Sequence, residues 1–254
     1  MAERQRGVRG MAVAEPDSGS QGGPGDGSGD GPGDASGTGA EGAGKPARYH
    51  HGGLKAALID ATLTLIAEKR LEEVSVADAA RAAGVSSGAP YRHFEDREDL
   101  FAHVAAVGFD ALQARLQAAW DSRPAGSVEG VIEGGRAYTR FGAERPELFH
   151  VMWGATRGED VAHEAGMSCY GSFVRQITIT LEAQGMGHLD AHHFGAPLHA
   201  MVHGFTSLLI GKGSRLEAMI GPVEERIAEA THAYFDGARV REGVAIPSGG
   251  IVRQ

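Results

Sequence analysis

The sequence predicts an all-α protein, with an N-terminal three-helix helix-turn-helix domain followed by a helical bundle. Apolar residues recur at three- and four-residue spacings from Leu54 to about Phe235, the period of helices with one buried face. Gly and Pro punctuate the pattern at Gly84, Pro124, Pro146, Gly185-Met186-Gly187 and Gly221-Pro222, leaving segments of helical length between them. No hairpin signal competes. The expected organisation is a tail at 1–46, the helix-turn-helix domain at 47–111, the bundle at 112–241 and a flexible C-terminal tail at 242–254.

The tail holds 14 glycines and no Leu, Ile, Phe, Tyr or Trp, so it cannot bury enough apolar surface to offset the entropy of ordering and is expected to be disordered. Two patterns in it resemble phosphate-binding loops, Gly37 to Gly42 and Gly39 to Lys45. Both need a buried strand before them and a helix after, and the second has Pro46 where Ser or Thr is required.

The first helix begins after Gly52-Gly53, with Leu54, Leu58, Ala61 and Leu65 on one face and Lys69-Arg70 suiting its C-terminal dipole. Ser75 caps the second, with Asp78 three residues on, Val76, Ala79, Ala80 and Ala83 inward, and Gly84 as its stop. Asp96 caps a helix expected to reach about Trp120, with Leu100, Val104, Val107 and Ala111 along its buried side. Further helices are expected at roughly 127–143, 147–155, 160–184, 190–212 and 222–239.

A formal charge of −9, from 24 basic and 33 acidic residues, disfavours a nucleic-acid partner only if basic residues fail to cluster. Lys45 to Lys55 carries three basic residues and no acid, and Val85 to Phe94 carries Arg92 and His93 with none. The single Cys169 excludes an internal disulfide and a four-cysteine zinc site. No apolar run reaches membrane-spanning length and no signal-peptide core is present, so a cytoplasmic location with no membrane partner is expected.

The informative stretch is Ala79 to Phe94. Two helices crossing steeply at a tight turn need a small residue at their contact, Ala80, and one tolerant of positive φ at the turn, Gly84. Val85 and Phe94 anchor the second helix inward. Ser86 caps it, and Pro90 is tolerated only if that helix starts near Ser87. Ala80 to Ser86, Tyr91 to Phe94 and Asp96 to Leu100, together with the opening Arg48 to Leu54, resemble the TetR family of transcriptional regulators over about fifty residues. Arg140-Phe141, Arg145 to Phe149, Met152-Trp153, His203-Gly204 and Leu208-Leu209 are similar to a subgroup of that family whose effector domain carries a Trp and then His-Gly. Three positions depart from the pattern: His199 stands where that Trp usually lies, Arg97 replaces a common Lys, and Pro90 a larger apolar residue.

The resemblance implies a DNA-binding transcriptional regulator and not an enzyme, with no catalytic residue, cofactor or metal. Its expected partners are a double-stranded DNA operator, a second copy of itself and an unknown small-molecule effector. Tyr91, His93 and Arg97 would contact phosphates, Ser87, Gly88, Ala89 and Arg92 would lie nearest base edges, and Ser75 and the arm residues Lys45 and Arg48 complete the DNA-facing set. Arg92 is the one long donor near the bases and the best base reader. A single motif covers too few bases for specificity, so a repressor dimerised through its last two long helices on a palindromic operator is expected. Phe149, Trp153, Phe173, His199 and His203 are the candidate ligand pocket. The alternative is a small α-helical enzyme or metal-binding protein using the His-rich C-terminal half. His199 and His203 have helical i, i+4 spacing but no evident third ligand.

Overall fold

The computed structural model describes residues 51–154, 159–211 and 213–246. The tail at 1–46, the arm residues Lys45 and Arg48 and the last eight residues of the C-terminal tail lie outside them. Among the described residues the secondary structure is helical, with no strand: α1 His51–Glu68, α2 Val76–Ala82, α3 Arg97–Asp121, α4 Val128–Glu144, α5 Pro146–Gly154, α6 Glu159–Ala183, α7 Ala191–Ile210, α8 Leu216–Ile220 and α9 Val223–Glu242. Two 3-10 turns, Leu71–Glu73 and Pro90–Arg92, join the early helices. None of the helices described is long and apolar enough to cross a membrane.

Local chemistry sets the boundaries. The Ser75 hydroxyl accepts from the Asp78 amide while the Asp78 carboxylate accepts from the Ser75 amide, both at 3.1 Å, which closes a capping box at α2. At its other end Gly84 sits at φ +70°, its amide bonded to the Arg81 carbonyl and that of Val85 to the Ala80 carbonyl. This left-handed terminator satisfies two otherwise orphaned carbonyls and favours glycine. Asp96, Ser127 and Asp190 cap α3, α4 and α7 in the same sense as Ser75. α1 stops at Glu68, so Lys69-Arg70 fall just beyond it rather than in its last turn.

One apolar core joins α1, α2, α3, α4, α5 and the first half of α6, with Leu58, Val74, Leu100, Val104 and Phe141 at or near zero exposure. A second, among α4, α6, α7 and α9, holds Ile177, Leu181 and Phe235. α3 passes unbroken through residues 111 and 112 and contributes to the first core along its whole length. Its buried side differs by about one position from the expected one. Phe101, Ala105, Gly108 and Leu112 are buried with Leu100 and Val104, whereas Val107 is 39% exposed. Period alone locates a face within one residue, and here the neighbours α5 and α6 choose it.

Candidate DNA-facing segment and internal cavity

The segment after Gly84 is shorter and tighter than the α-helix expected there. Residues 87–89 form a turn and Pro90–Arg92 a single 3-10 turn. Pro90 has no amide proton, so the Ser86 carbonyl cannot receive the α-helical bond from it and accepts instead from Ala89, at 3.0 Å. The amides of His93 and Phe94 then share the Pro90 carbonyl at 2.8 and 3.0 Å. Phe94, 2% exposed, pins the segment to the core. Its ring meets His103 edge-on, with the Lys55 ammonium 5.6 Å from its centroid.

On this anchored base the outward side chains are left without internal partners. Tyr91 is 61% exposed and Arg92 is exposed; neither makes a hydrogen bond or ion pair among the described residues. Ser87 and Gly88 are exposed beside them, and a Cβ on Gly88 would meet nothing within 4 Å. Ala89 and His93 are half-buried. Arg97 is the exception to the expected phosphate set. Its Nε donates to the Val74 carbonyl at 2.8 Å and one terminal nitrogen to the Leu71 carbonyl at 2.7 Å, while its guanidinium lies 4.2 Å from the Phe101 centroid. Arg97 therefore ties the turn before α2 to the start of α3, a forked contact that the commoner Lys would not reproduce.

At the other end of α3 lies an internal cavity of about 60 Å³, bounded by α3, α4, α5, α6, α7 and α9. Trp153, Phe173 and His199 line it. Phe149 and His203 stand just behind, their rings stacked at 5.5 Å with His203 edge-on to Trp153 at 4.8 Å. The Tyr138 hydroxyl lies 2.9 Å from His203 Nδ1, and Tyr138, Tyr170 and Phe173 surround the His199 ring at 5.5–6.0 Å. Burial lowers the affinity of both histidines for a proton, and for His199 the neighbouring His203 adds to the effect. Burial also raises the Tyr138 phenol and pushes the Cys169 thiol up to about 11. Glycines make room for the rings: a Cβ on Gly134 would lie 2.2 Å from Trp120 Nε1.

Tyr138, Tyr170, Trp120 and Phe109 also line the cavity but escaped the sequence reading. Tyr138 had a usable signal, because Val131, Gly134, Gly135 and Tyr138 follow the helical spacing of one α4 face, all buried. No group of three or more His, Cys, Asp or Glu among the described residues is placed to hold a metal ion.

A short capped helix, a glycine turn and an anchored segment of exposed donors, backed by a helical domain with an internal cavity, define a helix-turn-helix regulator. Residues 58–104 match the family model for bacterial regulatory proteins of the tetR family, and residues 131–234 that for the tetracyclin repressor-like C-terminal domain. The chain belongs to the TetR family of transcriptional regulators.

Among curated proteins it is 28% identical over 104 residues to the HTH-type transcriptional regulator BetI of Serratia proteamaculans, covering 39% of this chain and 52% of that one. To BetI of Pseudomonas fluorescens it is 28% identical over 110 residues, covering 42% and 56%. The chain thus spans about half the length of these curated relatives. A solved protein of unknown function from Rhodococcus sp. RHA1 superposes with a TM-score of 0.65 at 29% identity, covering 76% of this chain and 98% of that one. A putative transcriptional regulator from Pseudomonas aeruginosa PAO1 gives 0.59 at 20%, covering 76% and 94%, and RolR in complex with resorcinol 0.54 at 19%, covering 77% and 89%. At those last two identities the likeness is one of fold.

Proposed function

We propose that the chain is a cytoplasmic, ligand-responsive, non-enzymatic repressor that binds a palindromic DNA operator as a homodimer. The observation that carries this reading is the pair of exposed, unpartnered donors, Tyr91 and Arg92, on a segment whose own backbone is hydrogen-bonded and whose base is fixed by Phe94. Such donors are free for an external acceptor without unmaking any internal contact. Arg92 is assigned to a base edge and Tyr91 and His93 to phosphates. Ser87, Gly88 and Ala89 are small enough to let the backbone approach the duplex. The arm from Lys45 to His51 is assigned to an adjacent phosphate or the minor groove. Arg97 is reassigned to holding the segment rather than touching DNA.

Dimerisation is assigned to α7 and α9. Ala196, Pro197, Ala200 and Leu208 of α7 and Ala233, Gly237 and Val240 of α9 are exposed, small or apolar residues at helical spacing, suited to close packing against a second copy. The effector site is assigned to the cavity at Trp153, Phe173 and His199.

The test is selection of DNA fragments by the purified chain, followed by anisotropy titration on the recovered operator and a scrambled duplex. The expected outcome is an inverted repeat bound by a dimer, with Arg92→Ala costing about 1–3 kcal/mol on the operator and little on scrambled DNA. Equal losses on both duplexes would reassign Arg92 to phosphate. A chain that light scattering finds monomeric at micromolar concentration, or one that recovers no preferred sequence, would overturn the reading.

A further inference from the structure

We infer that the internal cavity selects neutral, single-ring aromatic molecules carrying a hydroxyl, and that His199 is the group that recognises the hydroxyl. This rests on the reading of the cavity as an effector site and adds the chemistry of what enters it.

Charge is excluded first. Among the described residues, no Asp, Glu, Lys or Arg lines the cavity. Its two readily titratable members are held neutral, the His199 imidazole by burial and the neighbouring His203, and the Cys169 thiol by burial and the charge of Asp110. A carboxylate or ammonium entering would lose its hydration and find no counter-charge.

Shape is set by rings. Phe109, Trp120, Tyr138, Trp153, Tyr170 and Phe173 supply flat walls, and ring-on-ring contact is favourable at the separations of about 5–6 Å that this cluster already uses. The unfilled volume of about 60 Å³ is less than half of the roughly 150 Å³ in which benzene is accommodated, so one ring fits only if a wall moves. Trp153 is the wall able to do so, since it lines the cavity yet is 42% exposed.

Polarity comes from a difference between two histidines one helical turn apart. His203 is engaged on both ring nitrogens, by the Tyr138 hydroxyl at 2.9 Å and the Ser207 hydroxyl at 3.4 Å. His199 lines the cavity, is ringed by aromatics and makes no hydrogen bond among the described residues. A neutral imidazole in that position offers one acceptor nitrogen and one donor, which a hydroxyl on a bound ring can satisfy.

The chain has two tryptophans, Trp120 and Trp153, and both line the cavity, so intrinsic fluorescence excited at the red edge of tryptophan absorption reports occupancy directly. The experiment titrates the full chain with phenol, toluene, benzoate and benzylammonium, in wild type, His199→Leu and His199→Gln. Phenol is expected to bind about five- to tenfold more tightly than toluene, the contribution of one neutral hydrogen bond. Both ions should bind more than about tenfold more weakly than phenol. His199→Leu should bring phenol down to the level of toluene with toluene unchanged, which shows that the variant is folded, and His199→Gln should keep part of the preference. Either ion binding as well as phenol, a phenol preference that survives His199→Leu, or a fluorescence signal unmoved by all four compounds would overturn the inference. Operator affinity measured with phenol present separates the two levels. If phenol binds as expected and leaves DNA affinity unchanged, the ligand-responsive reading fails while the cavity's selectivity stands.

Discussion

The candidate DNA-facing segment and the cavity wall use the same residue types in opposite ways. Around the cavity, aromatic and imidazole rings pack on one another: Tyr138 and Phe149 on His203, Trp153 on both histidines. Along residues 87–93 the backbone is internally bonded through Ser86, Ala89 and Pro90, while Tyr91 and Arg92 have no internal partner. The first region is specified by side chains and so resists substitution in its walls. The second is specified by backbone and by one anchor, which leaves its outward side chains free to be chosen by an external partner.

The comparison breaks most severely at the anchor. Phe94→Ala should cost about 3–5 kcal/mol in denaturant unfolding, because it empties a buried ring site beneath a segment with little other packing. It should also abolish operator binding while Tyr91 and Arg92 remain present. A variant retaining wild-type stability would mean that the segment is held by its backbone alone.

Arg97→Ala comes next, with an expected loss of about 1.5–3 kcal/mol in stability for charged hydrogen bonds to buried carbonyls. The slope of log DNA affinity against log salt should stay unchanged, since no phosphate contact is removed. A slope reduced by about one with stability intact would return Arg97 to the phosphate set.

The smallest effect sharpens the cavity side. Burial holds the folded-state proton affinity of His199 and His203 below the ordinary value of 6.5. Between the lowered folded values and 6.5 the unfolded chain binds more protons than the folded one. Their contribution to stability is therefore fully present above about pH 6.5 and is lost as the pH falls through that window. The double variant His199→Gln, His203→Gln should show a flatter decline of Tm on acidification than wild type. Parallel curves would indicate that neither histidine is buried enough to matter.

What the sequence made legible was local. The α2 capping box, its glycine stop, the Asp96 cap and the breaks at Pro124 and Pro146 depend on residues within a few positions of one another, and the helices follow from them. Local reading runs out where a distant partner decides. Arg97, expected at phosphates, has its internal acceptors, Leu71 and Val74, more than twenty residues away. Val107 looked buried until α5 and α6 fixed the rotation of α3. Three of the five expected pocket residues do line the cavity, but Tyr138 is brought to His203 across 65 positions, a pairing that no helical period contains. The short α8 has too few residues to display a period at all.

α3 runs for 25 residues from the Asp96 cap beside the candidate DNA-facing segment to Trp120 in the cavity wall. At about 1.5 Å per residue that is a bar about 37 Å long. Pivoted near one end, a bar of that length turns a tilt of about five degrees into about 3 Å at the other, close to the spacing of successive base pairs. A rotation small enough to be absorbed within the packing around Trp120 would be, at Asp96, a displacement of that size. The geometry of α3 thus fixes a gear ratio between the two ends of the molecule, whatever turns it.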